Sequence, residues 1–310
     1  MKTNISLILI LCLLLGACKN GNASSQSKSE TPQDTIKAIK MPAIPQMMTA
    51  PEQRADFLAK HYWDNVNFAD TNYIHHPEVT EQAWADYCDL LNHIPLETAQ
   101  QAMRNVIDRT NVDKKVFTYI TDLADKYLYD PNSPMRNEEF YIPVLEAMIA
   151  SPVLNETEIR PQARLKLAQK NRIGTKALNF TYTLASGAQG SLYQLKAEYL
   201  LLFINNPGCQ ACTETIEGLK NAPIINQLLQ EKKLVLLSIY PDEELDEWKK
   251  HLSEFPNEWI NGYDKKFTIK EEQVYDLKAI PTLYLLDKDK TVLLKDATAP
   301  AIEAYLMQHQ

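Results

Sequence analysis

Residues 201–212 read Leu-Leu-Phe-Ile-Asn-Asn-Pro-Gly-Cys-Gln-Ala-Cys. An apolar run stops at two asparagines and a Pro-Gly turn, and Cys209 and Cys212 then follow where a helix should open. Two thiols three positions apart on one helical turn can close a disulfide. The first of them sits where unpaired backbone N–H groups and the helix dipole favour a thiolate. The same spacing is half of a zinc site, but no second cysteine pair follows and His251 and His309 lack ligand spacing. The stretch therefore predicts a strand, a turn and a helix start carrying a dithiol/disulfide pair, with Cys209 and Cys212 as its catalytic residues and neither metal nor cofactor.

Working outward, residues 173–310 alternate between strand and helix patterns. An entry over residues 173–180 leads to strand-like residues 181–184, a turn at Ser186-Gly187, an extended piece over 191–195 and a strand over 199–204. The helix opening at residue 209 should run to about residue 219, with a second piece at 223–231. Residues 234–240 are almost continuously apolar, as expected of a parallel strand buried on both faces. Helices at 242–254 and 268–275, strands at 283–286 and 291–294 around the Asp287-Lys288-Asp289-Lys290 turn, and a last helix at 299–307 complete an α/β sheet covered on both sides.

From Pro51 to Asn171 the pattern changes. Apolar residues recur at helical spacing, as in Phe117, Ile120, Leu123, Ala124, Tyr127 and Leu128, and strand alternation is missing. Proline-bearing breaks at residues 76–78, 94–97, 130–134 and 151–152 divide the segment into helices over 52–69, 78–92, 95–110, 113–129, 135–150 and 156–171. Pro143 and Pro161 should start, kink or split theirs. The many aromatic residues, among them Trp63, Trp84, Tyr87 and Tyr141, are expected to fill a core, with a binding groove as the competing reading. Cys88, midway along an amphipathic helix, should be a small buried hydrophobe. The chain is thus multidomain, an all-α region followed by an α/β one.

The N-terminus indicates where such chemistry takes place. Lys2 precedes an apolar run over residues 5–15 that is too short to span a membrane and suits a signal peptide. It closes with Leu15-Gly16-Ala17-Cys18, which resembles the lipobox of bacterial lipoproteins. Residues 1–17 are accordingly expected to be removed and Cys18 to carry the lipid. The formal charge of −8 falls to −9 once Lys2 is lost, which disfavours nucleic acid as a partner. Polar residues after Cys18 read as a lipidated tether over 18–50, with a flexible span of about 30 Å and an extended limit of about 105 Å. Lys19 stands where an Asp would resemble an inner-membrane retention signal, so the expectation is the outer membrane, facing the periplasm.

Residues 172–310 resemble the membrane-tethered thioredoxin-like family of the TlpA and ResA type. The resemblance rests on Gly174, Ala177 and Phe180, on the Gly187 turn with Leu192, on the strand before Cys209-Gln210-Ala211-Cys212, and on Ile280-Pro281-Thr282. It implies a thioredoxin-like fold, a cis Pro281 packed against the cysteine pair, and backbone at Ile280 and Pro281 that binds an extended stretch of substrate. It also favours the reductase direction. Residues 51–171 are similar to helical domains of unassigned function that precede such modules in some envelope lipoproteins.

The chain departs from that family at three points. Gly208 replaces the aromatic residue usual before the first cysteine, with Asn205, Asn206 and Pro207 ahead of it, which predicts a polar, flexible approach loop. Phe203 stands where a buried acid serves cytosolic thioredoxins, and Thr215 occupies another position where an acid is used, although Glu214 and Glu217 are close. The resolving thiol therefore lacks an assigned base. The leading expectation is an envelope thiol–disulfide oxidoreductase in which Cys209 attacks and Cys212 resolves. Its partners would be protein thiols or disulfides, an upstream electron donor and, through the lipid on Cys18, the membrane. The alternative is a redox-weak scaffold that grips extended peptides beside Pro281, with copper delivery by Cys209, Cys212 and a histidine as a minor variant. A thiol peroxidase lacks its Pro-x-x-x-Thr-x-x-Cys signature here.

Overall fold

The computed structural model describes residues 38–154 and 159–309. The signal peptide, Cys18 and most of the tether lie outside the described residues. Residues 38–50, read from sequence as the end of the tether, lie along the helical domain. Ile39 packs on its core, and the Lys40 carbonyl accepts a 2.9 Å hydrogen bond from Asn65 Nδ2.

The helical domain comprises α1 (Pro51–His61), α2 (Pro77–Leu91), α3 (Leu96–Thr110), α4 (Lys114–Ala124), α5 (Glu138–Ala150) and α6 (Arg160–Ala168). Its boundaries follow local chemistry. Proline at the first turn opens α1, α2 and α6, where its missing N–H costs nothing. Asp113 caps α4 by accepting from Lys115 N and Val116 N, and Asn137 caps α5 by accepting from Phe140 N. The first helix stops at His61 instead of continuing to residue 69. Asn67 and Asp70 bond their own downstream backbone, to Ala69 N and Asn72 N, and so favour turns over a further helical turn. Pro143 neither starts nor splits α5 but sits inside it, buried. The Glu139 carbonyl, which a residue-143 N–H would have bonded, accepts instead from Gln100 Nε2 at 3.0 Å. Tyr62, Trp63, Phe68, Trp84 and Tyr87 form one buried aromatic cluster with centroids 5.2–6.2 Å apart, so the core reading of these aromatics holds. Cys88 lies in the same core, and burial raises its thiol far above the usual range.

The second domain is a seven-stranded sheet of β1 (Thr181–Leu184), β2 (Gln189–Ser191), β3 (Tyr199–Ile204), β4 (Leu234–Tyr240), β5 (Ile260–Tyr263), β6 (Thr282–Asp287) and β7 (Val292–Lys295), in the order β2-β1-β5-β4-β3-β6-β7. β4 is parallel to β3 and to β5, and the remaining pairs are antiparallel. Helices α7 (Gln210–Lys220), α8 (Pro223–Gln230) and α11 (Ala299–Gln308) cover one face through Ile216, Leu219, Ile225, Leu228 and Ile302. Ala177, Phe180, Leu192, Ile269 and Tyr275 cover the other, which is why β3 and β4 read as unbroken apolar runs.

Four elements differ from expectation. The segment 191–195 is not a strand: after Ser191 the chain makes a 3-10 turn over Leu192–Gln194, closed by Gln194 Oε1 accepting from Ser191 N. The helix expected over 242–254 is short, α9 (Leu245–Lys250), followed by a 3-10 turn, and the one expected over 268–275 is a single turn, α10 (Thr268–Glu271). Strand β5 carries little sequence signal, because the strand formers Ile260 and Tyr263 are separated by Asn261 and Gly262, which strands disfavour. Its glycine answers to packing, since a Cβ on Gly262 would lie 2.9 Å from Tyr182 Cδ2 and 3.3 Å from the Thr183 carbonyl.

Candidate redox site

The two cysteines occupy different kinds of position. Cys209 is the N-cap of α7, half-buried, and its Sγ accepts from Cys212 N at 3.4 Å. Cys212 is one turn in and 2% exposed. Both are free thiols. Gly208 has φ +73°, the left-handed region, which lets the chain turn from the approach loop into the helix and which an aromatic side chain would adopt only under strain.

The β6 register brings the third part of the site into place. Thr282 pairs with Ile204 at the end of β3, so Ile280 and Pro281 stand beside the cysteines. The Ile280–Pro281 bond is cis, as the resemblance implied. Cys209 Sγ lies 3.8 Å from the Ile280 carbonyl, which can accept its S–H, and Thr282 Oγ1 holds the Ala279 carbonyl at 2.6 Å. All four residues named from the sequence, Cys209, Cys212, Ile280 and Pro281, thus converge.

The approach loop is polar as expected, but it is tied down at both asparagines. Buried Asn205 donates from Nδ2 to Ser238 Oγ (2.8 Å) and to the Phe203 carbonyl, while its N–H bonds the Ile239 carbonyl. Asn206 Nδ2 donates to Asp242 Oδ2 at 2.9 Å, and Lys270 holds the other oxygen of Asp242 at 2.7 Å. Asn206, Pro207, Asp242, Glu244 and Lys270 line a cleft of about 450 Å³ alongside the approach loop. The Asn206 and Asp242 side chains were missed in the sequence reading. The Asn-Asn pair ahead of Pro-Gly was the available signal for a structured loop, but nothing local pointed to Asp242.

Among the described residues no carboxylate reaches Cys212. Phe203 is fully buried and edge-on to Trp259, so the site of the thioredoxin acid is filled by apolar core. Glu214 accepts from Gln210, and Glu217 pairs with Lys220 on the exposed side of α7. Burial pushes the Cys212 thiol up to about 12; a backbone hydrogen bond from Asn206 opposes the rise, and the Cys209 sulfur adds to it. Among the described residues no group of three or more His, Cys, Asp or Glu could hold a metal ion.

The segment leading into the Ile280–Pro281 loop is held from the helical side. Lys170 Nζ bonds the Glu272 and Gln273 carbonyls, and Asn171 Nδ2 bonds the Val274 carbonyl at 2.8 Å. Lys278 Nζ, 7% exposed, meets Glu138 Oε1 (3.0 Å), Asp296 Oδ2 (3.3 Å) and Asp276 Oδ2 (3.4 Å). Lys295 pairs with the second oxygen of Glu138 and donates to the Lys170 carbonyl. Desolvation alone would lower the Lys278 pKa, but the three carboxylates outweigh it and raise it.

Comparison with known proteins agrees with this architecture. Residues 17–171 match a family described as a domain of unknown function (DUF5106), and residues 197–292 match a thioredoxin-like family. The crystal structure of a thioredoxin-like protein from Bacteroides caccae is 83% identical, with a TM-score of 0.87 over 89% of this chain and all of that one. The C-terminal domain of an uncharacterized protein from Bacteroides fragilis is 69% identical over 44% of this chain and 98% of that chain (TM-score 0.44). A thioredoxin domain of a thiol-disulfide oxidoreductase from Bacteroides vulgatus is 20% identical over 44% of this chain and 97% of its own (TM-score 0.40). No functionally curated protein matches. The chain belongs to the thioredoxin-like proteins, carrying a DUF5106 domain ahead of its thioredoxin-like one.

Proposed function

We propose that the protein is a thiol–disulfide oxidoreductase of the cell envelope that reduces protein disulfides. The observation that carries this reading is the placement of Cys209 Sγ at the N-cap of α7, with Cys212 N at 3.4 Å, the Ile280 carbonyl at 3.8 Å and a buried thiol one turn behind. The Cys209 thiolate attacks one sulfur of a substrate disulfide and forms a mixed disulfide; the other substrate sulfur leaves as thiolate and takes a proton. Cys212 then loses its proton and attacks Cys209 Sγ, closing the Cys209–Cys212 disulfide and releasing the second substrate thiol. Two electrons pass to the substrate, and an upstream dithiol donor returns them to the pair. The edge at Ile280 and Pro281 would hold an extended stretch of the substrate chain.

The proposed setting is lipid attachment at Cys18 to the outer membrane, facing the periplasm, supported by the lipobox-like Leu15-Gly16-Ala17-Cys18 and by Lys19. Cys18→Ala should release the protein from membranes on fractionation, and retention after a high-salt wash would contradict the anchor. A second reading, a redox-weak peptide-binding scaffold, draws on the absence of a carboxylate near Cys212 among the described residues. Redox titration of the chain from residue 19, followed by thiol alkylation and mass spectrometry, separates the two. A reversible two-electron couple of Cys209 and Cys212 supports the enzyme; a pair that never cycles supports the scaffold.

A further inference from the structure

We propose that the helical domain is a positioning element of the redox site, acting on the loop that ends at Ile280 through Glu138 and Asn171. This rests on the reading of that site as a protein-disulfide reductase.

Residues 272–280 form the approach to the loop, and the helical domain grips them at four residues, Glu272, Gln273, Val274 and Lys278. Lys170 takes the carbonyls of Glu272 and Gln273, and Asn171 takes that of Val274. Glu138, at the N-terminus of α5, takes Lys278, two residues before the carbonyl that faces Cys209 Sγ. Asn171 is shaped for the task. It is buried with φ +51°, a conformation Asn tolerates, and while Nδ2 holds Val274 its Oδ1 accepts from Leu178 N at 2.7 Å. The side chain therefore ties the thioredoxin-like entry segment to the loop approach.

The chemistry of the contact argues for geometry over adhesion. Lys278, Lys295, Glu138, Asp276 and Asp296 are all 12% exposed or less at their side chains, and an Asp296 oxygen has no partner among the described residues. Buried ion pairs return little net stability, and an apolar contact of the same size would bind the two domains at least as well. What such a cluster adds is a single permitted arrangement, because every other arrangement strands a buried charge. Here the arrangement fixed is that of the loop on which an extended substrate would lie. The thioredoxin-like sheet itself is complete without the helical domain, since all its strands come from residues 181–295. Its substrate edge is the part that depends on the neighbour.

The test uses two separate variants of the chain from residue 19, Glu138→Gln and Asn171→Asp, the second replacing the donor to Val274 with a carboxylate oxygen that repels that carbonyl while an oxygen remains to accept from Leu178 N. Three readouts are compared with the unmodified protein: steady-state reduction of insulin disulfides, reaction with the small disulfide 5,5′-dithiobis(2-nitrobenzoate), and backbone amide exchange. The expected result is a KM for insulin raised roughly five- to tenfold with kcat within about twofold. The small disulfide should react at an unchanged rate, and amides of residues 274–280 should exchange about tenfold faster while those of β3 and β4 do not. Unchanged KM and exchange in both folded variants would overturn the proposal. So would exchange that speeds up equally in β3 and β4, which means general destabilisation. Should the unmodified protein fail to reduce insulin at all, the reductase reading falls, and local exchange at 274–280 alone decides whether the clamp exists.

Discussion

Each domain places cysteine on a helix, and only Cys209, at the N-cap of α7, is placed to react. Cys88 lies inside α2, in its last turn, among Trp84, Tyr87 and Leu91, where the backbone N–H groups are already paired within the helix and burial suppresses the thiolate. Cys209 lies at the start of α7, half-exposed, with an N–H directed at its sulfur and a carbonyl across from it. Residue type is the same in both domains. Position on the helix, inside it or at its N-cap, decides whether the sulfur packs or reacts.

The sharpest way to break that contrast is substitution. Cys209→Ser should lower insulin reduction roughly 1,000-fold or more, because a hydroxyl supplies no thiolate at neutral pH, whereas Cys88→Ala should leave the rate within about twofold. Equal losses from both variants would remove the distinction. In the helical domain the large effect should be on stability. Trp84→Ala empties the centre of the aromatic cluster and should cost about 3–5 kcal/mol in urea unfolding, without abolishing the dithiol couple of the molecules that remain folded.

The buried member of the redox pair gives a pH signature. Its thiol is pushed up to about 12, above the ordinary cysteine range, so the folded protein favours the neutral form. The stability this confers is complete below the unfolded pKa of about 8.5, and it declines as pH rises from there toward the folded value. Alkylation of Cys212 in the native, reduced protein should accordingly rise about tenfold per pH unit between pH 7 and 9, tracking its thiolate. A plateau reached by pH 8 would show that some group near Cys212 acts as a base. Smaller still is the effect expected at the approach loop. Asn205→Ala leaves the buried Ser238 hydroxyl without its donor and should cost about 1–3 kcal/mol, measured as a shift in the urea midpoint.

How much of this was legible in the sequence depended on whether the determinant was local. The strands at 199–204 and 234–240 were, residue for residue, because strands buried on both faces need unbroken apolar runs. Cys209, Cys212, Ile280 and Pro281 were legible from spacing and resemblance. β5 was not, because Ile-Asn-Gly-Tyr is selected by the approach of Tyr182 to Gly262 and not by strand propensity. Nor was the stop of α1 short of residue 69, with Asn67 and Asp70 beyond it bonding their own downstream backbone. The expected flexibility of the approach loop was overridden by partners at Ser238 and Asp242, some 33 and 36 residues away in sequence. Glu138 and Lys278 are 140 residues apart, and neither carries a local sign that it is buried.

The claim that the N-cap cysteine attacks and the buried one resolves is tested most directly by trapping. Cys212→Ser and Cys209→Ser, each expressed in full-length form, are captured from non-reducing extracts and their mixed disulfides mapped by mass spectrometry. Cys212→Ser should accumulate covalent complexes through Cys209, because attack proceeds and resolution cannot, while Cys209→Ser should accumulate almost none. Equal trapping by the two variants, or complexes through Cys212 alone, would contradict the assignment of Cys209 as the nucleophile.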